Sequence, residues 1–140
     1  MTVPRELSPD ECVALLSVGS VGRVGLCATD GPHIVPVNYV LDGESIVFRT
    51  SAYGVLGRHD WSSGVVAFEV DELEAATRSG RSVVVRGPAE RIEDPDEMDA
   101  IAWTTDPSPW AGGLRRQYVR VRFSEMSGRA VGEDTSGPEH

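Results

Sequence analysis

The spacing of apolar positions changes near residue 20. Before that point Cys12, Leu15 and Leu16 recur at i, i+3 and i+4, the stripe of an amphipathic helix. Ser8-Pro9-Asp10-Glu11 stands just ahead of the stripe and has the form of a capping box with proline at the first helical position. A helix is predicted to start there, and Gly19 is placed to end it in a left-handed conformation. From Val21 the period becomes 2. Val21 to Ala28, Ile34 to Leu41 and Ile46 to Thr50 read as three strands, joined at Asp30-Gly31 and Asp42-Gly43, both strong hairpin signals. Ser51 to Ser63 interrupts the alternation with Gly54, Gly57 and a polar run. Val65 to Val70 and Ser82 to Ile92 resume it as strands. Pro88, late in the second of these, lacks an amide donor and so predicts an edge or a bulge. Asp94-Pro95-Asp96-Glu97 opens a second short helix whose inner stripe is Met98, Ile101 and Ala102. Tyr118 to Met126 alternates once more, with Val119, Val121 and Phe123 on one face and Arg120, Arg122 and Ser124 on the other.

Six strands, short helices and closely spaced hairpin turns favour a mainly β fold, a small antiparallel barrel or sandwich. A βαβ fold would need a helix after nearly every strand. A chain of 140 residues fits one domain, expected over residues 1–131. Residues 132–140, with two Glu and an Asp but almost nothing apolar, are expected to form a disordered acidic tail. Apolar alternation on several strands would leave apolar faces or edges open on a single copy, which predicts a homodimer.

Charge and composition then narrow the chemistry. Twenty-two acids against 13 basic residues give a net charge of -9, which repels nucleic acid and anionic membranes. All 13 basic residues are Arg, so a Schiff-base lysine and a P-loop lysine are both excluded. Cys12 and Cys27 lie in apolar surroundings and read as buried free thiols. The first residues contain no apolar signal region, and no stretch approaches 18 apolar residues, so a cytoplasmic location is expected. No nucleophile elbow, no glycine-rich dinucleotide fingerprint and no Cys or His pair with metal-ligand spacing is present. His33 and His59 stand alone, and Glu69 with Asp71 reads as a solvated strand face, about 6.6 Å apart on one side of the strand.

One stretch does carry chemistry. Phe48-Arg49-Thr50-Ser51, running on through Gly54 and Gly57 to Arg58, sets a guanidinium, hydroxyls and approachable backbone amides at a strand end. Those are the groups a phosphomonoester needs. The other reading is an exposed turn in which Arg49 pairs with one of the many carboxylates.

Several short segments now occur in a fixed order: Gly22-Arg23-Val24, Pro36-Val37-Asn38-Tyr39, Phe48-Arg49-Thr50, Val66 to Asp71, Ser82 to Ala89, Pro109-Trp110 and Ser127-Gly128-Arg129. Together, over about Leu7 to Arg129, they resemble the pyridoxamine 5′-phosphate oxidase-like split-barrel proteins, in particular the small branch with nitroimidazole-reductase-like members. The resemblance implies a six-stranded antiparallel split β-barrel with short peripheral helices, forming a homodimer with FMN in the grooves between subunits. It places Arg49, Thr50 and Ser51 on the phosphate, Pro36, Val37 and Asn38 along the isoalloxazine, and Ser82 and Val83 at its polar edge. Trp110 would cover the ring or cross the interface. The family's lysine after Gly-x is here Leu56, with Arg58 as the substitute cation, and Arg81 stands where an aromatic is common. The function implied is a flavin-dependent oxidoreductase acting on a small planar or nitroaromatic acceptor. A deazaflavin-dependent reductase fits the arginine-only, Gly- and Ala-rich composition of an actinobacterial source, and a non-catalytic flavin- or haem-binding protein fits Leu56. No side chain is an obligatory acid or base; Tyr39, His59 and Glu69 are the candidates.

Overall fold

The computed structural model describes residues 4–51, 54–62, 64–101 and 116–132. Its elements are β1 (Arg5–Glu6), α1 (Pro9–Val18), β2 (Val21–Ala28), β3 (Gly31–Asp42), β4 (Ser45–Ser51), α2 (Val55–Arg58), β5 (Val65–Glu74), β6 (Ser79–Ile92), α3 (Pro95–Asp99), β7 (Arg116–Arg122) and β8 (Glu125–Val131). Strand pairing runs β6-β5-β2-β3-β4-β7 and returns to β6, closing a six-stranded antiparallel barrel. β8, with β1 beyond it, attaches to β6 outside that ring.

Alternation builds the core. Val24 and Leu26 of β2, Ile46 and Phe48 of β4, Phe68 of β5, Val83 and Val85 of β6 and Val119 and Val121 of β7 all point inward and are buried. Each contributes roughly 1.5–3 kcal/mol through burial. A smaller apolar cluster, Val40, Val47, Ile92 and Ile101, lies on the other face of β4 and β7 under α3. Arg120 closes its rim, held by Asp42 at 2.8 Å, Ser45 at 2.7 Å and Glu97 at 3.0 Å. No described helix is long and apolar enough to cross a membrane.

The capping box forms as the sequence predicts. Ser8 Oγ accepts from the Glu11 amide at 3.2 Å, and Glu11 Oε1 accepts from the Ser8 amide at 2.9 Å. Arg5 adds a bidentate pair to the same carboxylate, which with the Ser8 amide holds Glu11 down at about 2. A carboxyl whose folded pKa is depressed supports the fold above its ordinary value of 4.5, and that support is lost as pH falls toward 2. Arg5→Ala should therefore move the Glu11 midpoint back up toward 4.5 in an NMR titration; an unmoved midpoint would assign the depression to the cap alone.

Four local expectations are corrected. Gly19 is extended, at φ -80 and ψ 159, and is not left-handed. Its smallness serves a close approach: a Cβ there would collide with the Tyr39 hydroxyl, which donates to the Leu16 carbonyl at 2.7 Å and so closes the helix end. Cys27 is exposed, because β2 sends Val24 and Leu26 inward and the odd positions outward; Cys12 is buried, and both thiols are free. The two hairpins turn on residues 29–30 and 43–44, one step off the Asp-Gly centres, since Ala28 pairs with Gly31 and Asp42 with Ser45. Finally, the alternating run from Tyr118 is two strands, β7 and β8, broken at Phe123 and Ser124 without any turn dipeptide.

That break exists because β6 has two partners. Gly80 to Arg86 pairs with β8, and Ala89 to Ile92 pairs with β7. Pro88 falls in the gap between them, where no amide is needed on that edge. Gly87 lies so close to the Arg122 carbonyl that any Cβ would strike it.

Candidate functional site

On β4 the side chains divide. Phe48 enters the core, and Thr50 continues its face toward the barrel end. Arg49 and Ser51 take the other face, the one Val47 shares with the smaller cluster. Arg49 pairs with Asn38 on β3 and with Tyr118 on β7, so Asn38, Arg49 and Tyr118 form one row across three strands. By the same parity Pro36 and Asn38 are exposed on β3, and Val37 is buried. Pro36, Asn38, Arg49 and Ser51 thus share the exterior, whereas Val37, Phe48 and Val83 are core side chains that can offer a ligand only backbone. Thr50 Oγ1 reaches the Ser51 carbonyl only at 3.5 Å. Beside Thr50 on β7, Gln117 carries a buried Oε1 with no hydrogen-bond partner among the described residues.

The exterior rows continue across β2 and β5. Pro36 pairs with Arg23, Arg23 with Glu69, Glu69 with Val84 and Val84 with Ser127. In that row Arg23 donates through Nε to Glu69 at 2.8 Å and reaches Asp71 at 2.9 Å, with all three side chains about one-third exposed. Glu69 and Asp71 are therefore clasped by one guanidinium, a departure from the freely solvated pair expected. Burial, reinforced by the neighbouring Asp71, raises the Glu69 pKa against the pull of Arg23.

Ser82 lies one row over, paired with Asp71 and Arg129. Arg58 ends α2 and lines a groove of about 570 Å³ with Cys27, Asp30, His33 and His59. That groove sits at the β2–β3 hairpin tip, where His33 Nε2 meets Asp30 at 2.8 Å. His33 is five residues from Asn38, the register partner of Arg49, roughly 17 Å along β3. Trp110 lies outside the described residues.

A family model described as pyridoxamine 5′-phosphate oxidase matches residues 8–130. The chain belongs to the pyridoxamine 5′-phosphate oxidase family. It is 36% identical over 137 residues to the uncharacterized protein Rv0080 of Mycobacterium tuberculosis, covering 95% of this chain and 89% of that protein. Among solved structures it is similar to the FAD binding protein from Mycobacterium smegmatis, with 26% identity, 91% of this chain and 98% of the other covered, and a TM-score of 0.69. The fold is shared with a FAD-binding protein from Mesorhizobium loti at 22% identity, a TM-score of 0.74 and coverage of 95% and 100%.

Within this pyridoxamine 5′-phosphate oxidase family member, Leu56 is more than a missing cation. It is only 2% exposed and belongs to the barrel core, and its carbonyl accepts from Trp61 Nε1 at 3.2 Å and from the His59 amide at 3.4 Å. Of the acid–base candidates, Tyr39 is spent on the Leu16 carbonyl and is pushed by burial to about 12, His59 packs edge-on to Trp61 with ring centres 4.7 Å apart, and Glu69 is held by Arg23. Sequence reasoning missed the Arg23 clasp and Gln117. Arg23 and Glu69 both sit at outward positions of their strands, but nothing local says that β2 lies beside β5.

Proposed function

We propose that this chain binds a flavin nucleotide, FMN in the first instance, on the exterior of β3 and β4, and works as a flavin-dependent oxidoreductase on a small planar or nitroaromatic acceptor. The observation that carries the reading is the row Asn38–Arg49–Tyr118 with Ser51 beyond it: a guanidinium and a hydroxyl on one face at a strand end, the donor set of a phosphate site. The family relationship and the similarity to the FAD binding protein from Mycobacterium smegmatis support it. Bound flavin would supply hydride and electron transfer, with Arg49 and Ser51 holding its phosphate.

A homodimer is part of the proposal. Val21, Ile34 and Val65 expose 50%, 77% and 57% of their surface on the outer faces of β2, β3 and β5, which a second copy would cover. Sedimentation should give a mass near 30 kDa, twice the 15.1 kDa chain. The direct test is titration with FMN, FAD and a deazaflavin, reading quenched cofactor fluorescence, followed by assay with a reduced nicotinamide and a nitroaromatic panel. Micromolar or tighter binding with turnover is expected. No saturable binding of any of the three would end the flavin reading. Binding without turnover would favour the second reading, a flavin-storing protein, for which the core placement of Leu56 and the engaged state of Tyr39 and Glu69 speak.

A further inference from the structure

Farther along the same exterior rows, beyond β5, a groove of about 520 Å³ opens between β1, β6 and β8. Pro4, Val84, Ser82, Ser127 and Arg129 line it, with Arg5 and Glu6 of β1. Ser82 and Arg129 are register partners, as are Val84 and Ser127, so the two hydroxyls and the guanidinium share one face of the sheet. Their polar groups are uncommitted. In a chain with 22 acids, Arg5, Arg23, Arg86, Arg120 and Arg122 each close on a carboxylate. The Arg129 guanidinium makes no hydrogen bond or ion pair among the described residues, even though Glu6 is its register partner on β1, and the Ser82 and Ser127 hydroxyls likewise make none. One carboxylate, Glu6, also lines the groove, together with Arg5, whose guanidinium is held by Glu11; farther along the sheet Glu69 and Asp71 are held by Arg23.

We propose that this groove is a binding site for a small molecule that carries an oxyanion, a carboxylate or a phosphate, on an apolar body, with Arg129 as the anchoring cation and Ser82 and Ser127 as neutral donors. The volume suits a compact ligand. Arg supplies two parallel N–H groups to two oxyanion oxygens, the hydroxyls complete the shell, and Val84 with Pro4 offers an apolar wall. The site does not require flavin. If the flavin reading holds, the groove lies on the same run of exterior rows, through Ser82 and Val84, and would seat the acid group of the substrate.

The test uses three probes with one ring: benzoate, phenyl phosphate and the uncharged benzamide, each titrated into the 15N-labelled chain. Saturable shifts of the Ser82, Val84, Ser127, Gly128 and Arg129 amides are expected with an anion, at least tenfold tighter than with benzamide. The tighter of the two anions identifies carboxylate or phosphate as the source. Arg129→Ala should abolish the preference and Arg129→Lys should keep part of it, while Arg78→Ala, another exposed arginine with no ion pair among the described residues, should change nothing. Equal binding of benzamide, no saturable shift with either anion, or a preference that survives Arg129→Ala would overturn the proposal. A parallel FMN titration separates the two readings: wild-type chain that ignores FMN yet shifts with benzoate loses the flavin assignment and keeps the groove, and the converse result does the opposite.

Discussion

Replacing Leu56 by lysine should destabilise the chain by roughly 3–5 kcal/mol and leave flavin affinity no higher. A shift of that size is what a buried ammonium costs when it must either lose its proton or drag water inward. The side chain at 56 is 2% exposed and packed into the barrel core. Its peptide cannot simply turn outward, because the Leu56 carbonyl is shared by the Trp61 indole and the His59 amide, and Trp61 is itself buried against Phe48 at a ring separation of 5.7 Å. Urea unfolding followed by tryptophan fluorescence measures the loss. A Leu56→Lys chain as stable as wild type that also binds FMN more tightly would show that the loop can reverse its direction and present residue 56 to a phosphate.

Arg49→Ala is expected to weaken FMN binding about 10- to 100-fold while changing stability by less than about 1 kcal/mol. Hydrogen bonds to a charged group contribute about 1.5–3 kcal/mol, and each 1.4 kcal/mol is tenfold in affinity. The effect should be near the upper end, since there is no lysine in the chain to share the phosphate. Arg49 is half-buried on a strand exterior, so its loss opens no cavity in the core. Arg49→Lys should recover part of the affinity, keeping the charge and losing the planar fork. A Kd from quenched flavin fluorescence decides the matter; an unchanged value would move the phosphate away from β4.

Much of this was legible in the residues themselves, for a common reason. The capping box, the period of 2, the hairpins within one residue of their Asp-Gly signals and the start of α3 all arise from interactions a few positions apart, so each leaves a local pattern. The misreadings are equally specific. Gly19 looked like a helix terminator because its partner, the Tyr39 hydroxyl, lies twenty residues on. The break between β7 and β8 left no turn signal because β6, not the link itself, dictates it. Leu56 read as an absent cation because its direction depends on Trp61 and the core.

By itself, then, the chain's order of residues determined a mainly β domain with a capped first helix, strands of known inward face, and an Arg–hydroxyl cluster at the end of β4. Only the closed barrel decided that Arg49 and Ser51 would share the exterior with Pro36 and Asn38, that Arg23 would clasp Glu69 and Asp71, and that Ser82, Ser127 and Arg129 would meet in one groove. The physical reason is range. Alternation and capping are settled within a few residues, whereas the neighbours of a strand are chosen by burial of the whole core, over separations such as the 46 residues between Arg23 and Glu69.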